Sequence, residues 1–159
     1  MALAFAAALA GCASSLPTGF APQPASRTTV AAPVPSPEPA AAATPSAINA
    51  LVDKYAALYS VPASLIHRVI VRESGYNPKA RNGPYWGLMQ IRYDTAMSMG
   101  YRGPASGLLD ADTNLRYGVK YLAGAYLVGN GNPDQAVRFY ASGYYYDAKR
   151  LGLLDEVGL

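Results

Sequence analysis

The chain has little of what locks a small fold covalently or through a metal ion. It contains one cysteine and one histidine among 159 residues, Cys12 and His67. A single thiol cannot form an intramolecular disulfide, so packing alone must hold the fold together. We assign His67 to a helix surface, and it has no partner of metal-ligating type. The sequence therefore predicts no metal site and no cofactor.

Charge and long apolar runs are also scarce. Thirteen Lys and Arg against ten Asp and Glu give a net charge of +3. This mild positive charge suits an anionic polymer or surface, but the basic residues are scattered and form no patch for nucleic acid. The apolar run from Ala2 to Ala10 is too short to cross a membrane as a helix.

The N-terminal region has the pattern of a targeting signal. Its apolar run ends in Leu9-Ala10-Gly11-Cys12, which resembles a bacterial lipobox. We therefore predict a signal peptide over residues 1–11 and a lipidated Cys12. Ala13 favours the periplasmic side of the outer membrane, by resemblance to lipoprotein sorting signals. The alternative is a chance cysteine in an alanine-rich leader.

Composition changes sharply near residue 45. Residues 13–44 carry seven prolines between positions 17 and 39, which favour extended chain and exclude a helix, so we predict a linker. All thirteen tyrosines lie after it. We predict one folded domain over residues 45–159.

Helix signals dominate that domain. Prolines and capping residues mark helix starts at Thr44-Pro45, at Val61-Pro62, at Asp110 or Asp112, and at Asn132-Pro133-Asp134. Glycines mark stops at Gly75, Gly100 and Gly129. Shorter helices are predicted over Gly87–Ile91 and Asp94–Met99, with a last one near Asp147. No stretch alternates as a strand should. The pattern predicts an all-α domain of six or seven short helices.

One acidic residue stands on an apolar helix face. Glu73 follows Ile70 by three residues, Val69 by four and Ile66 by seven. Partial desolvation disfavours the charged carboxylate and raises its pKa, which suits a general acid. The alternative is an ordinary helix-end glutamate paired with Arg72.

Four motifs in order resemble one enzyme family. They are Glu73-Ser74-Gly75-Tyr76-Asn77-Pro78-Lys79-Ala80, Gly87-Leu88-Met89-Gln90-Ile91, a helix with Asn114, Gly118, Tyr121 and Leu122, and Phe139-Tyr140-Ala141-Ser142-Gly143. Over about residues 48–148 the sequence resembles the lytic transglycosylases of the soluble-transglycosylase (SLT) type, with a goose-type-lysozyme-like fold.

The resemblance implies a reaction and a set of site residues. Glu73 would act alone as general acid and base, cleaving peptidoglycan between N-acetylmuramic acid and N-acetylglucosamine and leaving 1,6-anhydromuramyl ends. The protein would act as a monomer on glycan strands. The substrate-binding residues would be Ser74, Asn82, Met89, Gln90, Tyr140 and Tyr144. Tyr76, Tyr85 and Trp86 are further candidate sugar platforms, and half-buried packing is the alternative for Tyr144.

Two departures and one absence keep alternatives open. Ala141 stands where the family usually has Asn, and Tyr85-Trp86 are bulky where small residues are common. The aspartates at predicted helix starts are explained by capping, so no second catalytic carboxylate is predicted. The alternatives are a hydrolytic muramidase that uses the same Glu73, and a wall-binding lipoprotein that has lost catalysis.

Overall fold

The computed structural model describes residues 44–159. The predicted signal peptide, Cys12 and the linker up to residue 43 lie outside the described residues. Seven α-helices, one 3-10 helix and three short strands occur in the described part of the chain. In order they are α1 Pro45–Tyr59, α2 Ala63–Ser74, β1 Arg81–Asn82, β2 Tyr85–Trp86, β3 Ile91–Arg92, α3 Tyr93–Ser98, the 3-10 helix Ala105–Leu109, α4 Ala111–Val128, α5 Pro133–Ser142, α6 Tyr145–Leu151 and α7 Leu154–Val157.

Side-chain caps begin three of the helices where the sequence predicted them. The Thr44 hydroxyl accepts from the Ala47 amide at 3.3 Å, and the Asn132 side chain accepts from the two amides that follow Pro133. Asp110 caps α4 by accepting from the Thr113 amide at 2.8 Å. Each contact satisfies an amide that has no partner inside its helix. The predicted starts at these positions are confirmed.

The predicted helix over Gly87–Ile91 is wrong. Residues 87–90 form a turn that leads into β3, and the three strands form an antiparallel sheet in the order β1-β2-β3. Gly87 and Gln90 have φ values of 70° and 46°, which lie in the left-handed region and stop a helix. The sheet escaped prediction because strands of two residues are too short to show an alternating pattern.

The long helix α4 organises two apolar clusters. Its fully buried Leu115, Val119 and Leu122 pack in the main core with residues of α1, α2 and α5. A smaller cluster, built on Ile91, Ala96, Tyr101 and Leu108, lies beside the sheet. No helix among residues 44–159 combines the length and hydropathy needed to cross a membrane. The turn before β3 therefore lies between the main core and the smaller apolar cluster.

Gly87 is required by space as well as by backbone conformation. A Cβ atom built there would lie 2.3 Å from Asn114 Nδ2 and 2.4 Å from the Leu108 carbonyl oxygen. Both neighbours belong to the packed interior, so neither can move away cheaply. Gly83 has a similar φ of 56°, but a Cβ atom built on it would have no neighbour within 4 Å. Comparing a substitution at Gly83 with one at Gly87 therefore separates the cost of backbone strain from the cost of a steric clash.

Gly83→Ala and Gly87→Ala should differ in cost for this reason. We expect Gly83→Ala to lower the free energy of unfolding by about 1 kcal/mol, from the left-handed backbone alone. Gly87→Ala should cost roughly 1–3 kcal/mol more because a methyl group is forced into a filled space. Urea unfolding followed by circular dichroism measures both. Equal costs would show that the turn can relax away from Asn114.

Candidate active site

A cleft opens between the small sheet and the α4–α5 pair. It has a volume of about 270 Å³ and is lined by residues from β2, β3, α3, α4 and α5. Gln90 and Tyr140, two of the predicted site residues, lie in its wall. A larger cavity of about 640 Å³, between α1, α4 and α7, contains none of the predicted site residues. The motif residues therefore identify the smaller cleft as the candidate site.

Glu73 occupies the last turn of α2, and its side chain is 23% exposed. Burial raises the pKa of this carboxyl above its ordinary value, and the positive charge of Arg72 opposes the shift. Arg72 Nε lies 3.6 Å from Glu73 Oε1, a long contact for an ion pair, and the arginine is half exposed. Desolvation therefore prevails over the ion pair, as the helical spacing predicted.

The other carboxylates near the motif helices cap a helix or form ion pairs. Asp110 caps α4, whereas Asp94, Asp112 and Asp134 lie in the first turns of helices and pair with basic side chains. Their partners are Arg92, Lys54 and Arg68 respectively. Capping thus explains one of the four aspartates and ion pairing the other three. In the described part of the chain, the charged group that perturbs the pKa of Glu73 is Arg72.

Gln90 holds its amide in a fixed orientation at the cleft. Its Nε2 donates to the carbonyl oxygens of Gly87 at 3.0 Å and of Ala80 at 3.2 Å. Two carbonyl acceptors require the nitrogen at that end, which settles the amide orientation. Oε1 is then the atom left to a ligand. The φ of 46° at this non-glycine residue stores strain, a feature that clusters at functional sites.

Tyr140 faces the same region from α5. Its hydroxyl donates its proton in a hydrogen bond of 2.8 Å to the carbonyl oxygen of Met89, which lies in the turn. Burial, and next the negative charge of Glu73, raise the pKa of Tyr140 well above its ordinary value. The phenol is neutral and its oxygen keeps lone pairs for a partner. The negative charge of Glu73 therefore acts on the Tyr140 phenol.

Met89 does not line the groove as predicted. It is fully buried, and a Cβ atom at Gly118 would lie 2.8 Å from its sulfur, so the thioether fills the space that this glycine leaves on α4. Ser74 also points into the structure. Its hydroxyl donates to the Leu88 carbonyl oxygen at 2.7 Å, which ties the end of α2 to the turn. Both residues therefore stabilise the site from the interior of the protein.

The prediction that Tyr144 offers its face to a sugar is wrong. Tyr144 is 1% exposed, its hydroxyl donates to the Tyr121 carbonyl oxygen at 3.0 Å, and its ring stands against Gly124. Tyr121 and Tyr85 line the cleft instead. Tyr121 was noted as a motif residue, but its helical spacing alone gave no sign that it reaches the cleft.

The remaining predicted platforms are distributed around the site. Tyr76 is half buried, and its hydroxyl lies 2.6 Å from Nδ1 of His67, which is partly exposed on α2. Trp86 has the Arg81 guanidinium over its ring at 4.1 Å. Asn82 is exposed on β1 and lies outside the cleft lining. Its role in substrate binding stays a prediction.

Asn114 has a role that the motif pattern did not indicate. Its Nδ2 donates to the carbonyl oxygens of Trp86 and Leu108, and its Oδ1 accepts from the Met89 amide, each at 2.8 Å. The side chain is fully buried. It therefore fastens α4 to both ends of the turn that presents Gln90. The sequence signal that could have indicated this role is a single polar residue within the apolar stripe of a helix.

Ala141 lies in the cleft wall next to Tyr140 and is exposed. The position where the resembling family usually has Asn therefore faces the site and not the core. A side-chain amide here would face the ligand. Its absence removes one polar contact from the cleft without leaving a buried group unpaired.

Comparison with known proteins agrees with the motifs. A family model described as the transglycosylase SLT domain matches residues 50–152. The fold is similar to the crystal structure, at 1.65 Å resolution, of the 70 kDa soluble lytic transglycosylase from Escherichia coli, with a TM-score of 0.59 and 28% sequence identity. The alignment covers 71% of this chain and 19% of the E. coli enzyme, so this chain spans a small part of that protein's length. The predicted family resemblance and the all-α, lysozyme-like fold are confirmed.

The raised pKa of Glu73 makes stability depend on pH in a definite direction. Below the ordinary value of 4.5 both folded and unfolded states hold the proton. As the pH rises, the unfolded state ionises first, so the free energy of unfolding falls until the pH passes the folded-state pKa. Glu73→Gln removes this loss. We expect the melting temperature of the variant, relative to the parent, to rise as the pH increases above 4.5, until the pH passes the folded-state pKa.

Differential scanning calorimetry across this pH range measures the effect. Glu156→Gln is the matched control, because Glu156 is exposed near the C-terminus and its substitution should give no such trend. A constant difference between parent and Glu73→Gln would mean that the carboxyl is not desolvated in solution.

Proposed function

Since the chain belongs to the transglycosylase SLT family, we propose that it is a peptidoglycan lytic transglycosylase. It cleaves the β-1,4 bond from N-acetylmuramic acid to N-acetylglucosamine without water and leaves a 1,6-anhydromuramyl end. The observation that carries this proposal is the partly buried carboxylate of Glu73, whose pKa is raised by burial and whose charge acts on Tyr140 in the wall of a cleft.

Glu73 serves two steps in this reaction. Its carboxyl proton passes to the glycosidic oxygen, and the electron pair of the C1–O bond leaves with that oxygen. The resulting carboxylate takes the proton of the muramyl C6 hydroxyl, whose oxygen bonds to C1. The proton returns to Glu73, so the cycle consumes no water and no external base. A group with a raised pKa suits both roles near neutral pH.

Gln90 and Tyr140 supply fixed dipoles for the cation-like transition state. Gln90 Oε1 and the Tyr140 hydroxyl oxygen are electron-rich atoms whose donors are already engaged with the backbone. Because the turn holds them in place, they need no reorganisation when positive charge develops at C1. Glu73, Gln90 and Tyr140 lie on the same chain, so the proposed reaction needs no residue of a second subunit, and we propose that the protein acts as a monomer.

Water as nucleophile is less well supported. Glycoside hydrolysis normally uses a second carboxylate as base or nucleophile. Asp94, Asp112 and Asp134 are instead held in ion pairs, and Asp110 caps a helix. A wall-binding protein without catalysis is suggested by Ala141 alone. It gives no reason for a desolvated carboxyl, which costs stability and contributes nothing to binding.

Glu73→Gln is the direct test of this mechanism. The amide keeps the size of the side chain but cannot deliver a proton, so release of anhydromuropeptides should fall by about 10²–10⁴-fold or more. Mass spectrometry of digested peptidoglycan measures the products, and sedimentation with insoluble peptidoglycan checks that binding persists. The muramidase alternative predicts reducing muramyl ends from the parent protein.

Asp134→Asn is the matched control, since Asp134 pairs with Arg68 at 2.7 Å on exposed surface. It should leave product release within about twofold of the parent, as expected for an exposed ion pair. Near-normal release by Glu73→Gln, or loss of release in folded Asp134→Asn, would refute the single-carboxylate mechanism.

The site of action is also part of the proposal. Cys12 is lipidated and anchors the protein to the periplasmic face of the outer membrane. The lipobox-like Leu9-Ala10-Gly11-Cys12 and the proline-rich residues 13–44 support this. An extended linker of this length reaches roughly 90–100 Å, at ~3.1 Å per residue, which lets the domain work on a wall layer away from its membrane.

Cys12→Ala should release the protein from the membrane. Without the thiol no lipid can be attached, so the protein should move to the soluble fraction after cell lysis and ultracentrifugation. Ala13→Asp is the matched control, because it keeps Cys12 and should stay with membranes. Membrane association that is unchanged in Cys12→Ala would rule out this anchor.

A further inference from the structure

The small sheet has two chemically distinct rows of side chains. Residues that oppose each other across antiparallel strands project to the same face. The register therefore places Arg81, Trp86 and Ile91 in one row and Asn82, Tyr85 and Arg92 in the other. The two rows point to opposite sides of a sheet whose strands have two residues each.

The row formed by Arg81, Trp86 and Ile91 has a structural role. Ile91 is buried in the smaller apolar cluster, and Trp86 packs against that cluster. The guanidinium of Arg81 stands over the Trp86 ring at 4.1 Å, which completes the row. Because this face is fastened to the core, the opposite face cannot turn inward without reversing every side chain.

Two members of the other row line the candidate active site, which Ile91 of the first row also borders. Tyr85 and Arg92 are cross-strand neighbours, and both line the cleft that also contains Gln90 and Tyr140. Tyr85 is 40% exposed and the Arg92 side chain 50% exposed. An aromatic face beside a guanidinium is therefore presented to whatever occupies the cleft.

Most N–H donors of the Arg92 guanidinium remain available to a ligand. Its Nη2 contacts Asp94 Oδ2 at 3.3 Å, and the Asp94 side chain is 72% exposed. A single long contact to a solvated carboxylate is weak, and it uses one of five N–H donors. The remaining donors of the planar guanidinium match a carboxylate in a bidentate arrangement.

We propose that Arg92, supported by Tyr85 in the same row, is a specificity-determining residue that binds a carboxylate on the muramyl substituent of the substrate. This inference rests on the proposed function for the substrate class. Muramyl residues carry a lactyl ether whose carboxylate is either free or joined to a peptide that itself bears carboxylates. N-acetylglucosamine carries none. The row thus distinguishes muramyl from glucosaminyl sugars at one wall of the cleft.

The test measures binding, so that it does not depend on turnover. The parent is the full chain with Glu73→Gln, and the variant adds Arg92→Gln. Three probes of equal length are titrated by calorimetry: peptide-bearing glycan strands, strands stripped by an amidase, and N-acetylglucosamine oligomers. We expect Arg92→Gln to weaken binding of carboxylate-bearing strands by about 3–10-fold, as for a half-exposed charged contact. Binding of the oligomers should not change.

The two carboxylate sources give different patterns. Loss confined to peptide-bearing strands assigns the contact to the peptide, whereas loss on stripped strands assigns it to the lactyl carboxylate. In either case, raising the ionic strength should weaken binding by the parent more than by the variant. Equal loss on the N-acetylglucosamine oligomers, or no loss on any probe, would overturn the proposal.

Arg68→Gln in the same background is the matched control. Arg68 is 51% exposed and pairs with Asp134, so it resembles Arg92 in exposure and partner but does not line the cleft. It should leave all three affinities unchanged, and an equal loss there would also overturn the proposal. Absence of anhydromuramyl products from the wild-type chain would refute the lytic reaction alone, because the binding results stand apart from turnover.

Discussion

The buried amide of Asn114 is the interaction on which the site depends. It joins α4 to Trp86 on β2, to Met89 in the turn and to Leu108 in the 3-10 helix. Each bond satisfies a backbone group in or beside the turn, and a buried backbone group left unpaired costs about 1–3 kcal/mol. Gly87 makes room for this amide and cannot accept a side chain. The turn is therefore specified by hydrogen bonding and by exclusion of volume together.

The same turn supplies the functional geometry. It presents Gln90 with its nitrogen engaged and offers the Met89 carbonyl oxygen to the Tyr140 hydroxyl. Ser74 links the end of α2 to the Leu88 carbonyl oxygen, so Glu73 is positioned relative to the turn through its neighbour. Three elements that are distant in sequence thus share one short backbone segment. A shift of that segment would displace the proton donor and the transition-state contacts together.

Partial burial gives Glu73 its chemical character. A fully exposed carboxyl would ionise at its ordinary pKa, and a fully enclosed one could not reach a substrate. Desolvation raises the pKa of Glu73 while the side chain stays 23% exposed, at a cost in stability near neutral pH. Tyrosines complete the surroundings. The Tyr121 ring lies 5.4 Å from that of Tyr140 and 4.7 Å from that of Tyr144, which carries the packing of the core up to the cleft wall.

Much of this protein can be predicted from local pattern. Helix starts at Thr44, Asp110 and Asn132, the helical class of the domain and the apolar side of Glu73 follow from capping chemistry and periodicity, which act within a few residues. The turn and sheet after Glu73 could not be predicted, because two-residue strands have no period and their register depends on which face finds the smaller core. Met89 and Tyr144 turned inward because glycines on α4 leave space for them, whereas Tyr121 and Arg92 reached the cleft. Sequence by itself determined which residue types are available for acid chemistry. Tertiary packing alone decided which of them face a substrate, since glycines on α4 set the space that each side chain can fill.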